Sequence, residues 1–242
     1  MSADPSVNAP VWGRYELLLP DELEAIMARH PTAYLPWGAL EFHGRHAAVG
    51  LDGLKAHALC VALAQAEGGL VLPPIWVASN TIKTAPKLNF PRHSLDFPED
   101  TVRSLARLHL AQLADEGFKT IFLLAGHVGQ PHYDILKAEA AAFAAAHRGL
   151  AVIAISECDL LPADLVIVNH AALGEISLLM AAHPECVDLT RLPRDRAPTL
   201  EQDAVWGPDP RPASAALGQK ITSAFITAAR RHLAEARTKV SP

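Results

Sequence analysis

Residues 32–68 read TAYLPWGALEFHGRHAAVGLDGLKAHALCVALAQAEG, and the change of period inside this stretch decides the fold. TAYLPWG is a short apolar run ending at Gly38, the pattern of a buried strand. LDGLKAHALCVALAQAEG is long, rich in Leu and Ala and closed by Gly68, the pattern of a helix with its stop signal. Between them, ALEFHGRHAAVG carries Glu41, His43 and His46, and Asp52 opens the helix.

The alternation continues outward. LVLPPIWVAS (70–79), KTIFLLAG (119–126) and LAVIAIS (150–156) read as strands, while EDTVRSLARLHLAQLADEG (99–117) and YDILKAEAAAFAAAHRG (133–149) read as helices. Pro98 before Glu99 and Asp100 marks one helix start, and Gly117 and Gly149 mark two ends. Strands alternating with helices predict an α/β fold with a mainly parallel sheet and helices on both faces. The polar, Pro-containing residues 79–98 are expected to be a functional loop or lid. Residues 190–213, rich in Pro and charge, are expected to wrap the surface or meet another subunit before an amphipathic helix over 214–238.

With 242 residues, 50% of them hydrophobic, the chain suits one globular unit over 1–242 and is too apolar for disorder. The net charge of -5, without a Lys/Arg cluster, argues against nucleic acid and favours small-molecule chemistry. Cys60, Cys158 and Cys186 are odd in number and set in apolar surroundings, as expected of buried, reduced thiols. The first residues, MSADPSVNAPVWGRY, lack a basic and then apolar leader, and no apolar run approaches a membrane span, so a cytoplasmic protein is expected.

Three segments carry chemistry. Glu41 and His43 stand two apart at the carboxyl end of a strand, the edge where open α/β sheets bind ligands, so carboxylate and imidazole can converge on one ion. Asp52 shares this connection, although a carboxylate at a helix start is also favoured by free N–H groups alone. KTIFLLAG delivers His127 to the same edge, flanked by Gly126 and Gly129. NHAALGEISLLMAAHP places His170 at a helix start and Glu175 in its second turn, where Glu175 taken alone reads as a residue of the solvent face. Mixed N and O donors suit Zn or Mn better than Ca.

These segments resemble the signatures of the creatininase family. Pro36, Gly38, Glu41, His43, Gly44 and His46 match its Pro-x-Gly-x-x-Glu-x-His-Gly-x-His segment, with Asp52 nine residues after the first His. Gly126 and His127 match its Gly-His-x-x-Asn segment, with Gln130 in place of Asn, and His170, Glu175 and Ser177 match its third. The shared order runs from about residue 33 to 190.

The resemblance implies a three-layer α/β/α domain, usually a homo-oligomer, hydrolysing non-peptide C–N bonds such as those of cyclic amides, lactams and formamides. It implies two divalent ions (Zn, Mn or Fe), one taking Glu41, Asp52 and His127 and the other His43 and Asp52. The ions would share a bridging water, lower its pKa and polarise the carbonyl under attack. His170 would protonate the leaving nitrogen. Two protein ligands are fewer than the three usual at catalytic zinc, so Glu175 is expected to complete the second site, or failing that to act as a general base. Five residues along a regular helix rotate Glu175 roughly 140° from His170, so the helix must begin after His170. His46, Arg92 and His93 are the expected substrate contacts, with His132 a further candidate.

Departures shape the expected specificity. Creatinine hydrolases carry a Glu at the position of Gly129 and tryptophans near residues 165–168, where this chain has Leu165, Val166, Ile167 and Val168. Phe90, Pro91, Arg92 and His93 replace a Phe-Pro-Gly-Thr segment. Creatinine is therefore an unfavoured substrate. Two rivals stand beside this reading: a two-metal phosphoesterase, and a metal-binding subunit silenced at Gly129 and Gln130.

Overall fold

The computed structural model describes residues 11–166 and 168–240. The leader reading of residues 1–10, the termini of the single unit, and Ile167 lie outside the described residues. Five parallel strands form one sheet in the order β1-β3-β2-β4-β5. They are β1 (Trp12–Arg14), β2 (Thr32–Trp37), β3 (Gly69–Val71), β4 (Thr120–Ala125) and β5 (Ala151–Ile155). Helices α1 (Pro20–Arg29), α3 (Glu99–Asp115) and α4 (His132–Ala146) cover one face; α2 (Leu51–Glu67), α6 (Leu173–Ala182) and α8 (Ala215–Val240) cover the other, and the one-turn helices α5 (Glu157–Leu160) and α7 (Leu200–Asp203) lie in connections.

Alternate residues of the central strands feed the two cores. Ala33, Leu35, Ile121 and Leu123 pack against Val102, Leu110 and Leu136, whereas Tyr34, Phe122 and Leu124 pack against Leu59, Leu63 and Phe225. Burial on both faces explains why TAYLPW and TIFLLA read as nearly continuous apolar runs and not as alternating ones.

The expected strand over 70–79 is cut short. Pairing stops at Val71 because Pro73 and Pro74 have no N–H to donate, although Ile75 still exchanges backbone hydrogen bonds with Pro36 and Gly38 at 3.0 Å each. The sequence reading places no element before residue 32, yet β1 and α1 lie there. Helix α1 carries its own signal in Pro20, Asp21 and Glu22, and the Leu19 N–H donates to the Glu22 carboxylate at 2.8 Å. Helix α6 begins at Leu173, after His170, which puts Glu175 in its first turn and not its second. Cys60 is buried, whereas Cys158 and Cys186 are only half-buried, and all three are unpaired. Among the described residues, no helix is long and apolar enough to cross a membrane.

Strands β2 and β4 are hydrogen-bonded neighbours, and their following helices leave to opposite faces, so their carboxyl ends open a crevice at the topological switch point. The first turn of α2 is pressed into this crevice. A Cβ on Gly38 would overlap the backbone of Gly53, and one on Gly126 would overlap the Asp52 carbonyl oxygen. Glycine at these two positions lets the chain bring Asp52 within reach of both strand ends. Gly126→Ala is therefore expected to lower stability by about 1–3 kcal/mol through overpacking. Urea unfolding checks this, and an unchanged midpoint would show that α2 moves aside freely.

Candidate metal centre

Asp52, buried in the first turn of α2, sends its two carboxylate oxygens to two different histidines. Oδ1 lies 3.3 Å from His43 Nε2 and Oδ2 lies 3.5 Å from His127 Nδ1. His127 Nδ1 is also 2.9 Å from Glu41 Oε2, and His43 Nε2 is 4.0 Å from Glu175 Oε2. Two groups able to hold an ion result, Glu41–Asp52–His127 and His43–Asp52–Glu175, with Asp52 common to both. A third combination joins Glu41 and His43 to His170.

Backbone carbonyls fix the tautomers of these rings. A carbonyl oxygen only accepts, so His43 Nδ1–H donates to Glu41 O (3.1 Å) and His127 Nε2–H donates to Ser79 O (3.2 Å). The remaining nitrogens then point lone pairs at carboxylates, an arrangement that needs a cation or a proton between them. Glu41 Oε2 and Asp52 Oδ2 are buried without a hydrogen-bond donor at this spot. The donor set of three carboxylates and two imidazoles thus fits divalent metal.

His170 stacks on His43 with ring centroids 4.1 Å apart, and its Nε2–H donates to Phe42 O at 2.9 Å. Nδ1 is left as the nitrogen that can exchange a proton. The backbone of His170 is paired in both directions with Trp206, at 2.8 and 2.9 Å. Glu175 is buried and not on a solvent face. Its Oε2 accepts from Ala171 N–H at 2.8 Å and its Oε1 from Lys55 Nζ. Lys55, also buried, reaches Glu157 Oε1 at 2.7 Å. Neither Lys55 nor Glu157 figures in the sequence reading. The available signals are a lone Lys three residues after Asp52 in an apolar helix, and a Glu directly after the strand LAVIAIS.

A cavity of about 380 Å³ opens onto Glu41, Asp52, His127, His170 and Glu175. The expected substrate contacts fall elsewhere. After the turn at Gly44 (φ +71°), His46 is buried and its Nε2–H donates to Ala171 O at 3.0 Å, supporting the peptide next to His170. Arg92 and His93 line a separate hollow of about 230 Å³ with Arg45, because Phe90 and His93 lean on the opposite side of Phe42. His132 is fully buried beside His127, and its Nδ1 accepts from Ser79 N–H at 3.4 Å. The segment 79–98 is tied down and forms a cavity wall: Ile82 N–H donates to Glu41, Phe42 N–H to Ser94 Oγ (3.0 Å) and Leu95 N–H to Leu40 O (2.9 Å).

Burial opposes every charge here, and at His43, His127, Glu41, Asp52 and Lys55 the partners outweigh it. Burial would lower His43, but Asp52, Glu175 and Glu41 raise it to about 9. Against the same burial, Glu41 and Asp52 raise His127 well above its ordinary value. Burial would raise Glu41 and Asp52, yet the histidines hold both below the usual carboxylate range. Lys55 remains an ammonium despite burial because Glu157 and Glu175 flank it.

In the ion-free protein at pH 7, the His43 and His127 rings therefore carry protons that a metal must displace. Zinc uptake at pH 7 is expected to release protons and to strengthen as pH rises towards 9. Calorimetry in buffers of different ionisation enthalpy measures this, and heats independent of the buffer would contradict it. Lys55→Met leaves Glu157 and Glu175 buried without their cation, for an expected destabilisation of about 3–5 kcal/mol. A loss well below this in urea unfolding of the ion-free protein would show that the carboxyls simply take up protons.

Comparison with known proteins places this geometry. The creatininase family, described as creatinine amidohydrolase, matches residues 17–233. Creatinine amidohydrolase of Pseudomonas putida is 24% identical over 225 residues, covering 87% of this chain and 84% of that protein. The crystal structure of creatinine amidohydrolase (creatininase) aligns with TM-score 0.76 at 22% identity, covering 96% of this chain and 99% of that one. A creatininase Mn structure aligns with TM-score 0.75 at 22% identity, covering 96% and 100%. The match spans both strand ends, α2 and α6, and the chain belongs to the creatininase family of metal-dependent amidohydrolases, which act on carbon–nitrogen bonds other than peptide bonds.

Proposed function

We propose that this chain hydrolyses the C–N bond of a cyclic amide, lactam or formamide at two divalent ions. Glu41, Asp52 and His127 would hold one ion, and His43, Asp52 and Glu175 the other. The observation that carries this reading is Asp52, whose two oxygens face two different histidines. When bound, the ions supply Lewis acidity towards the amide carbonyl and towards water.

The chain's own residues supply the rest. His170 faces the cavity with Nδ1 unengaged by the backbone and delivers a proton to the leaving nitrogen. The Phe42 carbonyl and the His43 ring hold the orientation of His170. Lys55 and Ala171 N–H hold the two oxygens of Glu175, so its role is ligation more than proton transfer.

A phosphoesterase is disfavoured because no Lys or Arg among the described residues lines the cavity to neutralise a phosphate. Creatinine is disfavoured because Gly129 and Val168 line the cavity where a carboxylate and an indole would serve it. The reading includes one folded unit over the whole chain, assembled as a homo-oligomer in the cytoplasm.

Metal analysis and a panel of lactams, cyclic ureas, formamides, creatinine and phosphate esters test the proposal. Amine or ammonia release from an amide is expected, with little turnover of creatinine or phosphate esters. His127→Ala and Asp52→Ala are expected to lose metal and activity together, while His170→Ala keeps its metal and loses about 10²- to 10⁴-fold in turnover. Full metal occupancy in the first two variants would overturn the ligand assignment, and metal loss in the third would make His170 a ligand.

A further inference from the structure

The cavity is built from two unlike parts. Its floor is the cluster of carboxylates and imidazoles. Its walls are mainly apolar, and two segments far apart in the chain supply most of the apolar part, Ile82, Ala85 and Leu88 from one and Leu200 and Trp206 from the other. Trp206 is 51% exposed, the largest aromatic surface left open at this site. Its exposure does not come from a loose chain. Both backbone groups of Trp206 are engaged by His170, and Asp203, three residues earlier, is gripped by Arg196 at 2.6 and 3.0 Å and accepts from Thr199 N–H at 2.9 Å. An indole on a fixed backbone has only two side-chain torsions to lose on binding, and a flat partner would remove its open face from water.

The charge of the cavity narrows that partner. The acidic lining residues, Glu41, Asp52 and Glu175, all belong to the metal cluster, and no Arg or Lys among the described residues joins them. Away from the ions the walls offer no counter-charge, so an anionic substituent lying against Ile82, Leu88, Leu200 or Trp206 would be desolvated unpaired.

Resting on the amidohydrolase reading, we propose that Trp206 is the specificity-determining wall and that the substrate is a neutral amide with a flat apolar face. Amides carrying a carboxylate or phosphate on the face that meets this wall are excluded. The segment around Leu200 and Trp206 thus serves the site and not merely the surface, and it ties recognition to His170 through the shared backbone pairing.

Formanilide and 4-formamidobenzoate share one flat formamide body and differ by one negative charge. Their dissociation constants for the zinc-loaded protein are read by ligand-observed NMR titration, beside steady-state KM and kcat. Formanilide is expected to bind, and 4-formamidobenzoate to bind at least about tenfold more weakly. Trp206→Ala is expected to weaken formanilide about tenfold with metal content unchanged, acting on KM more than kcat, while Trp206→Phe largely retains binding. No binding of formanilide by the parent protein, equal binding of the two compounds, or an unaffected Trp206→Ala variant would each overturn the proposal. Turnover of amides that ignores Trp206→Ala leaves the amidohydrolase reading intact and removes the wall. Trp206-dependent binding without hydrolysis of any amide does the reverse.

Discussion

A carboxylate taken out of water must be neutralised where it lies, and Asp52 sets this requirement at the centre of the molecule. Helix α2 can present it there because Gly38 and Gly126 at the ends of two adjacent strands offer no side chain to hold the backbones apart, while Gly53 in the helix itself leaves room for the Trp76 indole. Everything around the crevice answers the charge. His43 comes from one strand end and His127 from the next, each turned by a backbone carbonyl so that a lone pair faces the acid. Glu41 and Glu175 add further negative charge, which makes sense for a site that receives divalent cations.

The two halves of the centre are electrostatically unequal. The group of Glu41, Asp52 and His127 has a second layer of backbone contacts: Ile82 N–H on Glu41 and Ser79 O on His127, with Ser79 N–H held in turn by His132. The group of His43, Asp52 and Glu175 instead adjoins a buried cation, Lys55, balanced on its far side by Glu157. Lys55 restrains one oxygen of Glu175 and Ala171 the other, so the carboxylate meets the site in a fixed pose. This rigidity comes from groups that never contact the cavity's contents, the usual division of labour around metal ligands.

The walls obey a different logic. The floor stands on strand ends and a helix start, which the sheet positions. The walls stand on segments 79–98 and 199–206, and such connections vary more readily than the elements they join. The floor carries the chemistry of a metal site, while the proposed wall of Trp206, Leu200 and Ile82 would set what this chain accepts.

Much of this was legible in the residues themselves. Apolar runs of six residues between helical periods announce a parallel sheet, because strands buried on both faces need no polar alternation. The spacing of Glu41, His43 and Asp52, with His127 after a second strand, announces a cluster at one sheet edge. The helix after His170 had to start late for Glu175 to share its pocket, and it begins at Leu173. Three matters were decided only by the tertiary structure. Lys55 looks like an ordinary helix lysine until β5 and α6 bring Glu157 and Glu175 around it. His46, Arg92 and His93 look like pocket residues until the turn at Gly44 and the packing on Phe42 send them elsewhere. Trp206 sits in a Pro-rich stretch without periodicity, and its place follows from two backbone hydrogen bonds to a residue 36 positions earlier. Local sequence fixes what depends on neighbours along the chain, such as period, capping and strand-end chemistry. Charge partners and cavity walls depend on which distant segments meet, and that is set by how the whole core packs.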